Sequence, residues 1–286
     1  MSKRPAAVSI VCSVGIVLSA LSIAAVHAPA RAQSANLLLC DRLAADPADP
    51  DKPADVQGVA AIAPADIATA IKYCKSTAAS SRRALYELGR AYAANQQWPE
   101  AIEAYRKAAD KGSTSAMVEL GILLATGGSG VAKDEAQAHD LFVRAAEAGN
   151  PRGVINLMAM AGNGGPPMDP GRARALLAQA AQANSAEAEF QLGLMDANGV
   201  GGPKDDVAAR ALFERAAAQG HPGALEWAGS FAESGRGGPK DPAAAKAYYE
   251  KAAMLGNENA KTALERMRCS WVLTDKRGNT WGHLCM

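Results

Sequence analysis

Beyond the first 32 residues, the residues best able to do chemistry are four cysteines and three histidines: Cys40, Cys74, Cys269 and Cys285, with His139, His221 and His283. The cysteines form no Cys-x-x-Cys pair and none stands near a histidine at ligand spacing, so neither a redox couple nor a metal site is expected. No Gly-x-Ser-x-Gly, Gly-x-x-x-x-Gly-Lys or His-Glu-x-x-His occurs, and no histidine has a nucleophile beside it. The expectation is a non-enzyme with no cofactor and no metal. Thirty Lys and Arg against 29 Asp and Glu give a net charge of +1. No basic stripe interleaves with aromatics, which argues against nucleic acid as a partner.

An even number of cysteines in an exported chain indicates two disulfides. Three pairings are open, and proximity in sequence favours Cys40–Cys74 and Cys269–Cys285. Export itself is read from the N-terminus. Lys3-Arg4, the apolar run Ala6–Val26 and the small-x-small triplet Ala30-Arg31-Ala32 make a secretory signal over residues 1–32, with cleavage after Ala32. The run is also long enough to span a bilayer, so an uncleaved membrane anchor is the alternative. A periplasmic or secreted protein is the expectation.

Elements that could position a site recur with a period of about 36 residues: Ser113–Gly149, Asn150–Asn184, Ser185–Gly220 and His221–Gly256. Each copy opens on a helical segment carrying Leu-Gly or its equivalent (Leu120-Gly121, Leu192-Gly193, Ala228-Gly229). The second copy has Leu157-Met158 instead. A glycine-rich turn follows, then an aspartate (Asp134, Asp169, Asp205, Asp241) placed to cap a second helix. That helix ends in Ala-Ala and usually glycine. One such hairpin cannot bury its own apolar face and must stack on neighbours. Gly121, Gly193 and Gly229 let the paired helices approach closely. Only 5% of residues are aromatic, as a core of alanine and medium aliphatics requires. Met158 and Asn184, each standing where other copies carry glycine, mark the second copy as the one to be distorted.

Leu88, Gly89, Tyr92, Ala101, Tyr105 and Ala108 match the tetratricopeptide spacing in a shorter unit, Ala84–Ser113. The longer copies resemble the Sel-one-like repeat, a tetratricopeptide relative with an extended glycine-rich turn before the aspartate. The resemblance covers Arg82–Arg268. It implies an all-α, right-handed α-solenoid of five helical hairpins over residues 82–268, closed by a capping helix. It also implies that the first helix of each pair lines a concave face. Carried onto this chain, the inward positions are Arg83, Tyr86, Arg90, Val118, Ile122, Arg152, Ile155, Phe190, Leu194 and Glu226. A rotation imposed by the wider turn would instead put Val118, Ile155 and Phe190 in the core. The implied function is a scaffold or adaptor for a protein or extended peptide in the bacterial envelope, including regulation of a sensor or an assembly partner. The alternative is a cell-wall hydrolase or a β-lactam- or glycan-binding protein. No Ser-x-x-Lys follows the signal segment to support β-lactam chemistry.

The two ends lie outside the repeats. Residues 33–81 hold Asp46-Pro47-Ala48-Asp49-Pro50-Asp51-Lys52-Pro53, which cannot be helical and should form a loop. A helix from Ala65 to about Ala78 follows, carrying Cys74. Residues 269–286 read as a β-hairpin around Lys276-Arg277-Gly278. Its expected register sets Cys269 opposite Cys285, Trp271 opposite His283 and Leu273 opposite Trp281. It would serve as a cap for the stack or as a binding knob using Trp271 and Trp281.

Overall fold

A computed structural model describes residues 34–128, 130–268, 271–274, 277 and 280–284, with 271–274 and 280–284 as backbone. Two helices, α1 (Ala35–Ala44) and α2 (Ile67–Thr77), precede five antiparallel pairs. The pairs are α3 (Arg82–Ala94) with α4 (Trp98–Asp110), α5 (Thr114–Thr126) with α6 (Glu135–Glu147), α7 (Pro151–Gly162) with α8 (Pro170–Gln182), α9 (Ala186–Asn198) with α10 (Asp206–Ala218), and α11 (Pro222–Ser234) with α12 (Pro242–Met254). A last helix, α13 (Glu258–Arg268), packs on α12. Each pair packs on the next, so the stack is an all-helical solenoid. The segment expected to be a signal, and the expected Cys269–Cys285 pair, lie outside the described residues. Among the described residues no helix is long and apolar enough to cross a membrane.

Local chemistry sets the helix ends. The side chains of Asp134, Asp169 and Asp241 accept from the backbone N–H groups of Gln137, Arg172 and Ala244 at 2.8–2.9 Å. Asp205 does the same for Val207 and Ala208. Each satisfies donors that the first helical turn leaves without an intrahelical partner. Asn184 stands where other copies end on glycine and takes up φ 58°, the left-handed conformation that asparagine tolerates best after glycine.

Four pairs share one packing device. A Cβ on Gly89 would lie 2.4 Å from the Tyr105 ring, and one on Gly121 would lie 2.6 Å from Phe142. For Gly193 against Phe213 and Gly229 against Tyr249 the distance is 2.7 Å. The ring of the second helix thus sits on bare backbone of the first. The α7–α8 pair departs from this. Met158 replaces the glycine and Leu177 replaces the ring, and these two helices pack less closely than the others. Met158 is left 37% exposed while Leu177 stays buried.

The N-terminal segment is more structured than its sequence suggested. Ser34 caps α1, the Cys40–Cys74 disulfide joins α1 to α2, and the intervening loop runs back over α3. Gly58, at φ +76°, holds the turn where a side chain would strike the backbone of Pro47. At the other end, β1 (Trp271–Thr274) and β2 (Thr280–Leu284) pair antiparallel. The expected register is corrected here. Thr274 pairs with Thr280, in keeping with that register, but Leu273 pairs with Gly282 and Trp271 with Leu284. Trp281 is therefore an extra, bulged residue, and it shifts the rest of the ladder by one.

Candidate functional site

The positions expected to line a concave face all lie on the first helices α3, α5, α7, α9 and α11. Over α3 and α5 that face is already covered by the chain itself. Arg83 donates to both Asp41 carboxylate oxygens at 2.9 and 3.1 Å, and to the Asp51 carbonyl at 3.2 Å. Arg82 grips the Asp51 carboxylate at 2.6 and 2.7 Å. The Tyr86 hydroxyl donates to Asp46 at 2.7 Å, and the Ser115 hydroxyl to Asp49 at 2.8 Å. Arg90 donates to three carbonyls, those of Ala44, Val59 and Ala60.

Three expectations are corrected by this cover. Arg83 and Tyr86 are taken up by α1 and the Asp/Pro loop, and Arg90 by the carbonyls of Ala44, Val59 and Ala60, so all three already have partners within the chain. Tyr86 is fully buried beneath the loop. Val118 is likewise fully buried and belongs to the core. Asp41 on α1 and the three aspartates of the loop were not singled out as partners for these helices. Their signal was available as an acidic, proline-rich run opposite Arg82, Arg83 and Arg90.

Two acids are buried where the loop meets the helices, Glu87 on α3 and Asp49 in the loop itself. Glu87 is fully buried, and its Oε2 sits 2.7 Å from the Cys40 sulfur. Its Oε1 has no hydrogen-bond partner among the described residues, and the Arg83 Nε stays 3.9 Å away. Burial, reinforced by the Asp41 charge, pushes the Glu87 carboxyl well above the ordinary carboxylate range. Burial also raises Asp49 to about 6, against the opposing pull of the Ser115 hydroxyl and the Asp51 N–H. Cys40, Cys74 and Glu87 bring ligand-type atoms within 4.8 Å of one another. The two sulfurs are bonded to each other, so they offer a metal no thiolate.

Past Arg152 the face opens. Arg152 donates to Glu119 at 2.7 Å and stands 3.8 Å from Asp46, at the boundary of the covered part. Burial alone would lower its pKa, but Glu119 outweighs that and holds it above the usual value. Ile122 is half-buried and borders a cavity of about 290 Å³ between α5 and α7, with Asn156 and Met160. Ile155 and Leu194 are half-buried and line a cavity of about 260 Å³ between α7 and α9, together with Met158, Leu177 and Met195. This cavity lies beside the loosened α7–α8 pair, where the missing ring left space.

Phe190 is half-buried because it packs on the start of α11, its ring 4.5 Å from that of His221. The His221 Nε2 is 3.0 Å from Glu187, while its Nδ1 accepts the Ala224 N–H at 3.1 Å and so caps α11. Burial alone would raise the Glu187 carboxyl, but donors from His221 and Gln191 bring it below its ordinary value. Glu226 accepts from Asn257 at 2.7 Å and Asn259 at 3.0 Å, which ties α11 to the start of α13. The open stretch therefore brings together Ile155 and Leu194, with Ile122, Arg152 and Phe190 around them and Glu226 at the far end.

The Sel1 repeat family matches the chain at residues 99–113, 114–150, 155–185, 186–221 and 223–257, together more than half of its length. The third match begins only at Ile155, inside α7, the helix that carries Met158. No curated protein matches in a sequence search. Among solved structures, a Sel1 repeat protein from Oxalobacter formigenes is similar with a TM-score of 0.57 at 22% identity, over 70% of this chain and 82% of that one. That level of identity speaks to the fold alone. A protective antigen of uropathogenic Escherichia coli displaying an SLR fold is similar with a TM-score of 0.54 at 25% identity. The likeness covers 70% of this chain and 44% of the antigen.

Proposed function

The chain belongs to the Sel1 repeat family, and from that premise we propose that it is an exported scaffold that holds a protein or an extended peptide in the bacterial envelope. Proteins built of these repeats generally act through protein–protein contacts, and a repeat fold by itself does not name the partner. The reading rests chiefly on the open cavity between α7 and α9, where Ile155, Leu194 and the exposed Met158 offer apolar surface. Apolar anchors of this kind give affinity, and flanking charges such as Arg152 and Glu226 set orientation. The N-terminal basic and apolar segment and the Cys40–Cys74 bridge support an oxidising compartment. Regulation of a sensor or of an assembly partner is the role such a scaffold fills there.

The test has two arms. Mass spectrometry of the protein recovered from its host should find Gln33 as the first residue; an intact N-terminus in the membrane fraction would favour an anchored form instead. Affinity capture from envelope extract should yield a partner with the native chain and lose it with Ile155→Glu or Leu194→Glu. Capture that survives both substitutions in folded protein would place the binding surface elsewhere.

A further inference from the structure

The cover over α3 and α5 is not an ordinary hydrophobic cap. The loop Asp46–Pro53 meets the helices through three side-chain carboxylates and the Asp51 carbonyl. Asp46 takes the Tyr86 hydroxyl, Asp49 takes the Ser115 hydroxyl, and Asp51 takes the Arg82 fork. The prolines Pro47, Pro50 and Pro53 keep the loop out of helix, so its acids and carbonyls stay available to the solenoid. Tyr86 and Arg83 occupy inward positions of the first repeat, where a solenoid of this kind would meet a partner.

We infer that this stretch of the face is a receptor for acidic, proline-containing segments folded in successive turns, occupied in the resting protein by the chain's own Asp46–Pro53. A partner carrying the same chemistry displaces the loop and gains Arg82, Tyr86 and Ser115 as donors. The complementarity is one of charge and of donor to acceptor. Three aspartates within six residues each find a matching donor on α3 or α5. Displacement is feasible because the Cys40–Cys74 bridge keeps α1 attached while the loop leaves. A tethered ligand competes at an effective concentration of about millimolar, so a free segment binds the native chain weakly until the tether's own contacts are reduced. At its edge stands Arg152 on α7, near both Asp46 and Glu119. The inference takes from the scaffold reading only the premise that this face binds polypeptide.

The experiment weakens the resident ligand and leaves the receptor intact. Asp46→Ala and Asp51→Ala are combined in the full chain, and a fluorescent peptide spanning Ala45–Ala54 is titrated in by anisotropy. The double variant should bind at least about tenfold tighter than the native chain, since the competing charge-assisted contacts are gone. The same peptide with asparagine at every aspartate should not bind. A folded double variant that binds neither peptide, or both equally, overturns the inference. Should that variant fail to fold, amide exchange on the native chain decides. Millimolar peptide should speed exchange at Val56 and Val59, whose N–H groups are bonded within the segment; unchanged exchange overturns the inference. Envelope capture through Ile155 and Leu194 is scored separately, so this site can fail while the scaffold function stands.

Discussion

The Tyr86 hydroxyl, fully buried on the third helix, donates at 2.7 Å to Asp46 in a loop 40 residues earlier in the chain. This bond and the Arg83–Asp41 fork turn an otherwise open solenoid face into a closed one. Asp46 keeps the Ala48 N–H when the tyrosine hydroxyl is removed. Tyr86→Phe should therefore cost about 1 kcal/mol in urea unfolding, the usual net value of one such bond. It should also speed amide exchange in residues 45–60. Unaltered exchange there would mean that the loop is held by other contacts.

The glycine–ring device predicts a specific non-additivity. Gly193→Ala places a methyl 2.7 Å from the Phe213 ring and should destabilise by about 1–3 kcal/mol through overpacking. Phe213→Leu alone should also destabilise, by leaving a cavity. Combined, the two imitate the Met158–Leu177 arrangement, in which a larger residue meets a smaller one. The double variant should then lose less than the sum of the singles. Additive losses in a double-mutant cycle would show that the two residues do not share space.

Glu87 gives the sign of a pH effect. Its carboxyl titrates above its ordinary value in the folded protein, because burial and Asp41 disfavour the charge. As pH rises past the ordinary carboxylate range, the unfolded chain loses this proton while the folded chain keeps it, and stability falls. Asp49 adds the same sign between its unperturbed 3.8 and about 6. Glu87→Gln should flatten the decline between about pH 5 and 8, leaving the native protein with the steeper loss. Denaturant midpoints across that range check it, and equal slopes for the two proteins would contradict it.

The Cys40–Cys74 bridge closes a loop over a sequence separation of 34. Replacing both cysteines by alanine should cost about 2–4 kcal/mol, mainly by freeing the unfolded chain. The same change should loosen the Asp/Pro segment before the repeats melt. A single unfolding transition with unchanged exchange in residues 45–60 would contradict that order.

What the residues made legible was the repeating part. Asp134, Asp169, Asp205 and Asp241 were readable as caps because a cap is a local device, settled within three residues of sequence. The glycines at 121, 193 and 229 were readable as close approaches for the same reason, and the Met158 departure pointed to the α7–α8 pair. The N-terminal cover was not readable in this way. Arg83 and Asp41 lie 42 residues apart, and nothing in the period of the repeats says which surface a non-repeating segment will choose. Val118 was misplaced by the register of one helix turn against the face, a small rotation that separates core from groove. The ladder of the two C-terminal strands was misread because a bulge at Trp281 leaves no mark in the residue pattern.

The most direct measurement is site-specific photo-crosslinking in the native host. A photoreactive residue replaces Met158, exposed at the cavity between α7 and α9, or, as a control, Lys246, whose side chain is 61% exposed on α12. A single partner should crosslink from position 158 and not from 246, and Leu194→Glu should abolish the product without changing the circular dichroism spectrum. Equal crosslinking from both positions, or a product that survives Leu194→Glu in folded protein, would contradict a binding face formed by the first helices.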